Sequence, residues 1–381
     1  MEQRRTVIDT DFGTNADDAI AVALALASQE IEVQAFTVVG RQSVYRKQML
    51  EKFLATAGED CARPPVYAGW DAPPRLPTGF SLVAPCKQGA ASSSFPGADF
   101  GAHLASLGSA HRFSWFGVEG TLDRNSPTRA STTPQAGDAT YEAGEKLHAL
   151  LCKGDTDLIA LGPLTNLYQL LTNTHYDAAK VSIPSLTVMG IHLRPTPYGR
   201  DALTGVDAFV PACADYNLAC DPVSTLYVLN ELAKPSLTPP AASAIRAARW
   251  VTADVTFGTR LNQLQLSKLA QSRHPFLLRL VEMIEAWTPI MTKRYAHAGM
   301  DNAVFLHDPL TLACAFGDEW CNFETLHLEP VLTNDYSLRW IRHEAPAPGA
   351  IPLTCAVSLK TRAAGQTFSD WLVERLLAKF S

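Results

Sequence analysis

The segment VIDTDFGTNADDAIAVALAL, near the N-terminus, concentrates carboxylates in a short space. Asp9, Asp11, Asp17 and Asp18 fall within ten residues, between an apolar run and an apolar helical pattern. Carboxylates this close repel one another, and the repulsion grows when they are buried. A divalent cation would remove that repulsion, and all-oxygen ligands favour Ca²⁺ or Mg²⁺ over zinc. The alternative is a solvated acidic cap, because a helix dipole favours each acid at its start by about 0.3–1 kcal/mol.

Strands and helices alternate around these acids. Residues 5–8 form an apolar run with β-branched side chains that predicts a strand ending at Asp9, and the periodicity of 20–27 predicts a helix. EVQAFTVVG predicts a second strand, 44–57 a second helix and PPVYAGW a short third strand. This order predicts an α/β fold with an open, mainly parallel, Rossmann-like sheet flanked by helices. Loops at the carboxyl ends of such strands form the ligand crevice, which is where the aspartates lie.

The alternating pattern is interrupted once and then resumes. From about 78 to 139 Gly, Ser, Pro, Thr and Ala dominate, and we predict an irregular insertion there, since so long a structureless stretch is unusual inside a compact domain. Helices are predicted at 141–152, 276–297, PLTNLYQLLTN, HDPLTLACAF and DWLVERLLAKF, and strands at DLIALG, PSLTVMG, LRWIRHE and TCAVSL. ADYNLACDPVSTLYVLN begins as a loop and becomes a helix. We therefore predict a single domain, 1–381, that carries this insertion.

Composition excludes several classes of function. The chain has 381 residues, 47% of them hydrophobic, and a formal net charge of −6 without a dense Lys/Arg block, which argues against a nucleic-acid surface. No apolar stretch approaches the roughly 20 residues of a membrane span, and no secretory signal is evident. The eight cysteines form no CxxC pair and are typical of free thiols in an intracellular protein. We therefore expect a cytoplasmic protein.

Three further motifs follow the acidic segment along the chain. LIALGPLTNL, ADYNLACDP and LHDPLTLA follow the opening DTD and DD in this order, between residues 9 and 312. With these four motifs the sequence resembles the nucleoside hydrolases, the calcium-dependent, inosine/uridine-preferring ribohydrolases. The resemblance implies the fold of that family, hydrolysis of ribonucleosides to ribose and free base, and a role in nucleoside catabolism and purine salvage. It also implies a Ca²⁺ cofactor, a small-molecule ribonucleoside as substrate, and a homodimer or homotetramer.

The resemblance also implies a set of metal ligands. Asp11 matches the aspartate that binds calcium and takes a proton from the attacking water, while Asp18 and Asp308 match metal-binding carboxylates. Leu161 matches a position whose backbone carbonyl binds the metal. Calcium prefers about six to eight oxygens, which these groups, a water and two ribose hydroxyls can supply. Asp9 and Asn15 are expected to support the ligands without direct contact with the ion.

Substrate contacts follow from the same resemblance. Asp17, Asp215 and Asn217 match residues that hold the ribose hydroxyls. His307 matches a histidine that protonates the departing base, for which imidazole is suited near neutral pH, and Tyr295 lies where a tyrosine helps the leaving base. Cleavage of an N-glycosidic bond passes through an oxocarbenium-like sugar, which nearby carboxylates stabilise.

The sequence departs from the family pattern at several places. Five residues instead of three separate DTD from DD, and VMGIH replaces the usual MGG. Arg41 follows TVVG where the family has Asn or Asp, and could contact an aspartate or a substrate anion. These changes leave open a catalytically altered member that binds a ribosyl ligand or cleaves a modified nucleoside. A second alternative, suggested by DTDFGT, is a phosphatase of the haloacid-dehalogenase kind with Asp9 as nucleophile, although Gly13 interrupts the required DxDxT.

Overall fold

A twisted sheet with helices on both faces organises the part of the chain that the structure describes. The computed structural model describes residues 3–13, 15–40, 42–59, 61–70, 142–200, 207–210, 215–233, 243–294, 302–332, 338–360 and 365–380. The strands within it are β1 Arg4–Thr10, β2 Ile31–Val38, β3 Val66–Ala68, β4 Asp157–Ala160, β5 Leu186–Met189, β6 Thr196–Arg200, β7 Asp207–Val210, β8 Ala248–Val251, β9 Arg260–Asn262, β10 Asn302–Phe305, β11 Cys321–Leu332, β12 Leu338–His343 and β13 Ile351–Leu359.

The helices stand mostly between consecutive strands, as expected for parallel crossovers. They are α1 Asp17–Leu26, α2 Ser43–Ala55, α3 Glu142–Leu151, α4 Thr165–Thr172, α5 Tyr216–Cys220, α6 Pro222–Ala233, α7 Ala253–Thr256, α8 Gln263–Gln271, α9 Pro275–Arg294, α10 His307–Phe316 and α11 Phe368–Lys379. The predicted insertion at 78–139, Arg41 and Tyr295 lie outside the described residues.

Among the described strands, nine form the main sheet, in the order β12-β11-β13-β8-β5-β4-β1-β2-β3. The pairs from β13 through β3 are parallel, and β11 pairs antiparallel with β12 and with β13. The predicted α/β class with an open, mainly parallel sheet is therefore confirmed, and an antiparallel extension widens one edge.

Successive strand residues supply two different cores. Val7 and Ile8 on β1 point to opposite faces, as do Leu158 and Ile159 on β4, because side chains alternate along a strand. The core on the Ile8 face is closed by α1, α2, α9, α10 and α11, and the core on the Val7 face by α3, α4 and α6. With both faces covered, the parallel strands are apolar on both sides, which is typical of such sheets.

The carboxyl ends of the central strands meet at one edge. β1 ends at Thr10, β4 at Ala160 and β5 at Met189, and their following loops begin next to one another. Helix α1 packs against α10, which brings their N-terminal turns to the same edge. Asp17 opens α1 and His307 opens α10, so the sheet gathers the DTD, DD and HDP motifs.

Sequence patterns missed a few elements. The strands β6 to β11 and helices α7 and α8 were not predicted, whereas the strands at LRWIRHE and TCAVSL and the final helix are confirmed. β11 carries the alternation of buried and half-buried residues that is typical of a strand, as at Leu326 and His327, but Pro330 within it weakens the strand signal. The six described cysteines are free. Within the described residues, no helix has the length and apolar character needed to cross a bilayer.

Candidate active site

Three carboxylates converge at the carboxyl edge of the sheet. Asp17, Asp18 and Asp308 are buried, and each offers an oxygen that lies within 4.8 Å of those of the other two. The backbone N–H of Asp308 donates to Asp17 Oδ2 over 3.4 Å, and Thr10 Oγ1 donates to Asp18 Oδ1 over 2.5 Å. The first turns of α1 and α10 therefore hold these carboxylates face to face.

Asp11 belongs to the same acidic cluster. Burial, and then the charge of Asp11, raise the pKa of Asp17 to about 7. The pKa values of Asp18 and Asp308 are raised well above 3.8, chiefly by burial and then by neighbouring carboxylates that include Asp11. Two like charges about 5 Å apart repel by ~3 kcal/mol at an effective dielectric constant of about 20. Four buried carboxylates in oxygen-only surroundings therefore fit a hard cation, and the cluster could hold a metal ion.

Asp9 lies behind the cluster and ties strands together. Its Oδ1 accepts hydrogen bonds from Thr37 Oγ1 over 2.6 Å and from Asn166 Nδ2 over 2.7 Å. Burial raises the pKa of Asp9 to about 7, and these two hydrogen bonds oppose the rise. The backbone oxygen of Asp9 also accepts the N–H of Leu161 over 2.7 Å. Asp9 therefore links β1, β2, α4 and the loop after β4.

A buried arginine supports the loop that carries Asp11, and sequence reasoning missed it. Arg46 on α2 is 1% exposed, and its Nη1 donates to the backbone oxygens of Asp11 and Phe12. Its charge opposes the rise in the pKa of Asp18 that burial and the nearby carboxylates cause. Gly13, at φ 98°, lies where an added Cβ would come within 2.5 Å of Met49 Cε. Phe12 and Gly13 of this loop thus lie against α2.

The loop after β4 approaches Asp11 closely. At Gly162 an added Cβ would lie 2.9 Å from the backbone nitrogen of Asp11, so only glycine fits. The backbone oxygen of Leu161 accepts a hydrogen bond from Asn217 Nδ2 over 2.6 Å. Asn217 is buried and lies two residues after Asp215. The structure therefore joins the GPLTN and ADYN motifs at the same edge.

Asp215 is buried, and the structure describes a hydrogen-bond partner for only one of its two carboxylate oxygens. Its Oδ2 accepts the backbone N–H of Ile191 over 2.6 Å, while Oδ1 has no hydrogen-bond partner among the described residues. Burial raises the pKa of Asp215 to about 6, against the effect of the Ile191 hydrogen bond. A buried acceptor without a donor is costly, and a ligand hydroxyl would satisfy it. Asn15 Oδ1 is likewise buried without a partner in the described part of the chain.

His307 stands beside the acidic cluster. It precedes Asp308 at the start of α10 and is half-buried. Its Nδ1 lies 2.6 Å from Thr256 Oγ1, a partner that the sequence motifs did not indicate. The ring centroids of Phe257 and Phe305 lie 4.8 Å and 5.6 Å from that of His307. The hydrogen bond to Thr256 and the contacts with Phe257 and Phe305 therefore help to hold the imidazole in place.

Comparisons with known proteins agree with this arrangement. The sequence model of one family, described as inosine-uridine preferring nucleoside hydrolase, matches residues 6–375. A comparison with curated proteins finds no match.

Solved structures are similar over the whole chain. One is a plant nucleoside hydrolase, 18% identical with a TM-score of 0.61, over 100% of this chain and 99% of that chain. Another is the purine-preferring ribonucleoside hydrolase from Gardnerella vaginalis, 16% identical with a TM-score of 0.57, over 99% of this chain and 98% of that chain. A third is an inosine-guanosine nucleoside hydrolase, 17% identical with a TM-score of 0.61, over 99% of both chains. At these identities the likeness shows a shared fold.

Proposed function

Because the chain belongs to the inosine-uridine preferring nucleoside hydrolase family, we propose a role for each residue of its acidic cluster in that reaction. The chain is a nucleosidase that hydrolyses the N-glycosidic bond of ribonucleosides to ribose and free base. One observation carries the proposal: the buried carboxylates of Asp17, Asp18 and Asp308 meet within 4.8 Å, and the charge of Asp11 acts on all three.

We propose that the cluster holds Ca²⁺ through Asp11, Asp18, Asp308 and the backbone carbonyl of Leu161. The donors are all oxygens and mostly charged, which suits calcium better than zinc. When bound, calcium would supply positive charge that orients water and ribose hydroxyls and makes the water more acidic. We assign Asp17, the remaining carboxylate, to the ribose hydroxyls. Asp9 and Asn15 position the metal-binding residues without direct contact with the ion.

Side chains of this chain then carry out the proton transfers and stabilise the charge on the sugar. Asp11 takes a proton from the water that attacks the anomeric carbon, and the electron pair of the breaking C–N bond leaves with the base. His307 gives a proton to the departing base. The carboxylates around the sugar stabilise its positive charge as the bond breaks.

Substrate contacts complete the proposal. Asp215 Oδ1, buried without a partner among the described residues, is proposed to accept a ribose hydroxyl, and Asn217 to contact the same sugar. Arg41 and Tyr295, which lie outside the described residues, are proposed to contact substrate. A homodimer or homotetramer and a part in purine salvage are proposed from the family resemblance, and a cytoplasmic location from the free cysteines.

Sugar release tests the function. Inosine, guanosine, adenosine, uridine and cytidine would be offered to the full chain with calcium and after chelation, and reducing sugar measured. We expect metal-dependent release that Asp11→Asn lowers by at least about 100-fold, while Asp155→Asn, a change at a half-exposed surface acid, leaves it unchanged. No release from any nucleoside with calcium bound would instead favour a family member that binds a ribosyl ligand or cleaves a modified nucleoside.

Calorimetric titration of the chelated protein tests the metal assignment. Ca²⁺ binding should be lost in Asp18→Asn and kept in Asp17→Asn, whose KM should rise. Loss of calcium binding in both variants would show that Asp17 is a metal ligand and overturn its assignment to the sugar.

A further inference from the structure

The short helix α7 ends against the proposed proton donor. Thr256 is fully buried, and its Oγ1 lies 2.6 Å from Nδ1 of His307. We propose that Thr256 is a positioning residue: it accepts the Nδ1–H of His307 and thereby selects Nε2 as the nitrogen that serves the leaving base. The inference rests on the proposed role of His307 as the proton donor and adds the residue that orients it.

Thr256 can act as an acceptor. The Ala253 oxygen lies 3.5 Å from its Oγ1 and can take the hydroxyl proton, and Oγ1 then offers a lone pair to the imidazole N–H. The Thr256 backbone is fixed at both of its polar groups. Its N–H donates to the Thr252 oxygen over 3.1 Å, and its own oxygen accepts from Thr259.

Helix α7 is anchored to the rest of the site on two sides. Thr252 Oγ1 donates to the Ala356 oxygen on β13 over 2.9 Å. The Asp254 carboxylate accepts the backbone N–H groups of Leu193 and Arg194 over 2.8 Å and 3.0 Å, in the loop after β5. Thr256 therefore sits on a rigid support that spans the sheet edge, and it can set the position of a ring that packs against it.

The hydrogen bond to Thr256 distinguishes two ring orientations that the aromatic neighbours do not. Phe257 meets the His307 ring at 84° and Phe305 at 37°. Apolar rings of this kind confine the imidazole plane but do not distinguish its two nitrogens. A half-turn of the ring would put carbon in place of Nδ1 and break the bond to Thr256. The 2.6 Å contact between Thr256 Oγ1 and Nδ1 therefore favours one ring orientation and one tautomer.

The proton transfer balances with this tautomer. The imidazolium gives its Nε2 proton to the base nitrogen that receives the electron pair of the broken glycosidic bond. The neutral ring that remains keeps its proton on Nδ1, where Thr256 Oγ1 accepts it. The same hydrogen bond thus persists before and after the transfer, and no reorientation is needed.

Two leaving groups test the proposal. Thr256→Val removes the acceptor and keeps the shape, whereas Thr256→Ser keeps the hydroxyl. Turnover would be measured on inosine, whose base needs a proton to leave, and on p-nitrophenyl β-D-ribofuranoside, whose nitrophenolate leaves without one. We expect Thr256→Val to lower kcat on inosine about 10- to 100-fold and to change kcat on the nitrophenyl riboside by less than about twofold, with KM little changed. Thr256→Ser should restore most of the inosine activity.

Controls separate orientation from packing. Thr172→Val removes a hydroxyl that donates to its own helix, to the Tyr168 oxygen, and should change neither rate. Thr256→Ala gives a second variant without the hydroxyl, should the valine not fold. An equal loss on both substrates, or no loss on inosine, would overturn the proposal. An equal loss on both substrates in His307→Ala would instead show that His307 is not the proton donor, which is a failure of the proposed function itself.

Discussion

The Asp215 carboxylate and the backbone of Ile191 are held together by one hydrogen bond, with Oδ2 2.6 Å from the nitrogen. Ile191 has φ 73°, in the left-handed region that β-branched residues avoid. Asp215 is buried and its Oδ1 has no partner among the described residues. Backbone strain and an unsatisfied acceptor therefore meet at one point, which is typical of ligand sites.

Asp215→Asn is expected to stabilise the free protein at alkaline pH. Burial raises the pKa of this carboxyl from 3.8 to about 6, so the folded state binds the proton more tightly than the unfolded chain. The wild type therefore loses stability as pH rises through this window, and the cost of ~3 kcal/mol for two pKa units is complete above it. Asparagine carries no such charge, and its carbonyl can still accept from Ile191. Thermal unfolding at pH 5 and pH 8 should show an advantage of the variant that grows with pH.

The same substitution should lower activity, because the asparagine carbonyl faces the Ile191 N–H and the NH2 group that replaces Oδ1 cannot accept a ribose hydroxyl. A charged hydrogen bond contributes roughly 1.5–3 kcal/mol, so kcat/KM should fall about 10- to 100-fold. A variant that is less stable than wild type at pH 8, or as active, would contradict this account of Asp215.

Asn166 joins three segments behind the acidic cluster. Its Nδ2 donates to Asp9 Oδ1 and, over 3.3 Å, to the Val38 backbone oxygen. Its Oδ1 accepts the backbone N–H of Trp70 over 2.9 Å. Asn166→Ala would leave these buried groups without their partner, and we expect a loss of about 2–4 kcal/mol in the free energy of unfolding. Urea unfolding would measure it. Asn173→Ala, which removes one exposed hydrogen bond to the His175 N–H, should cost under about 1 kcal/mol.

Asp9, Asp11, Asp17 and Asp18 could be singled out from sequence because their residue type, spacing and position after a strand are local features, whereas Asp308, 291 residues from Asp17, was indicated only by the family resemblance. Arg46 and Thr256 could not, because each acts on a residue far along the chain. Arg46 lies 35 residues from Asp11, and Thr256 lies 51 residues before His307. A weak signal did exist for Arg46: it shares a helix face with Met49, Leu50 and Phe53, at spacings of three, four and seven. Thr256 has no local signal, because a threonine that ends a short helix is common.

Arg46→Met is expected to destabilise the metal-free protein and to enlarge its response to calcium. The substitution removes the donor to the Asp11 and Phe12 oxygens and a positive charge that favours ionised Asp18. We expect a loss of about 3–5 kcal/mol without metal, as for a broken buried ionic contact. Calcium would replace part of the lost charge, so the rise in Tm on adding calcium should exceed that of wild type.

Arg63→Met is the matched control, since this exposed arginine donates to the Gly58 oxygen far from the acidic cluster. It should change neither the Tm of the chelated protein nor the calcium response. A calcium response in Arg46→Met that is equal to or smaller than that of wild type would show that Arg46 acts on the loop geometry alone.

Asp308→Asn tests whether repulsion in the acidic cluster is what the cation relieves. Burial and the charges of Asp17, Asp18 and Asp11 all disfavour ionised Asp308, so neutral asparagine should raise the Tm of the chelated protein at pH 8. The same change removes a proposed ligand, and the calcium affinity should fall at least about 100-fold. Asp17→Asn offers a matched comparison within the cluster: it should also raise the chelated Tm while keeping calcium affinity near that of wild type. If Asp308→Asn lowered the chelated Tm, the carboxylates would be stabilised by local hydrogen bonds rather than strained by one another, and the electrostatic reason for a resident cation would be lost.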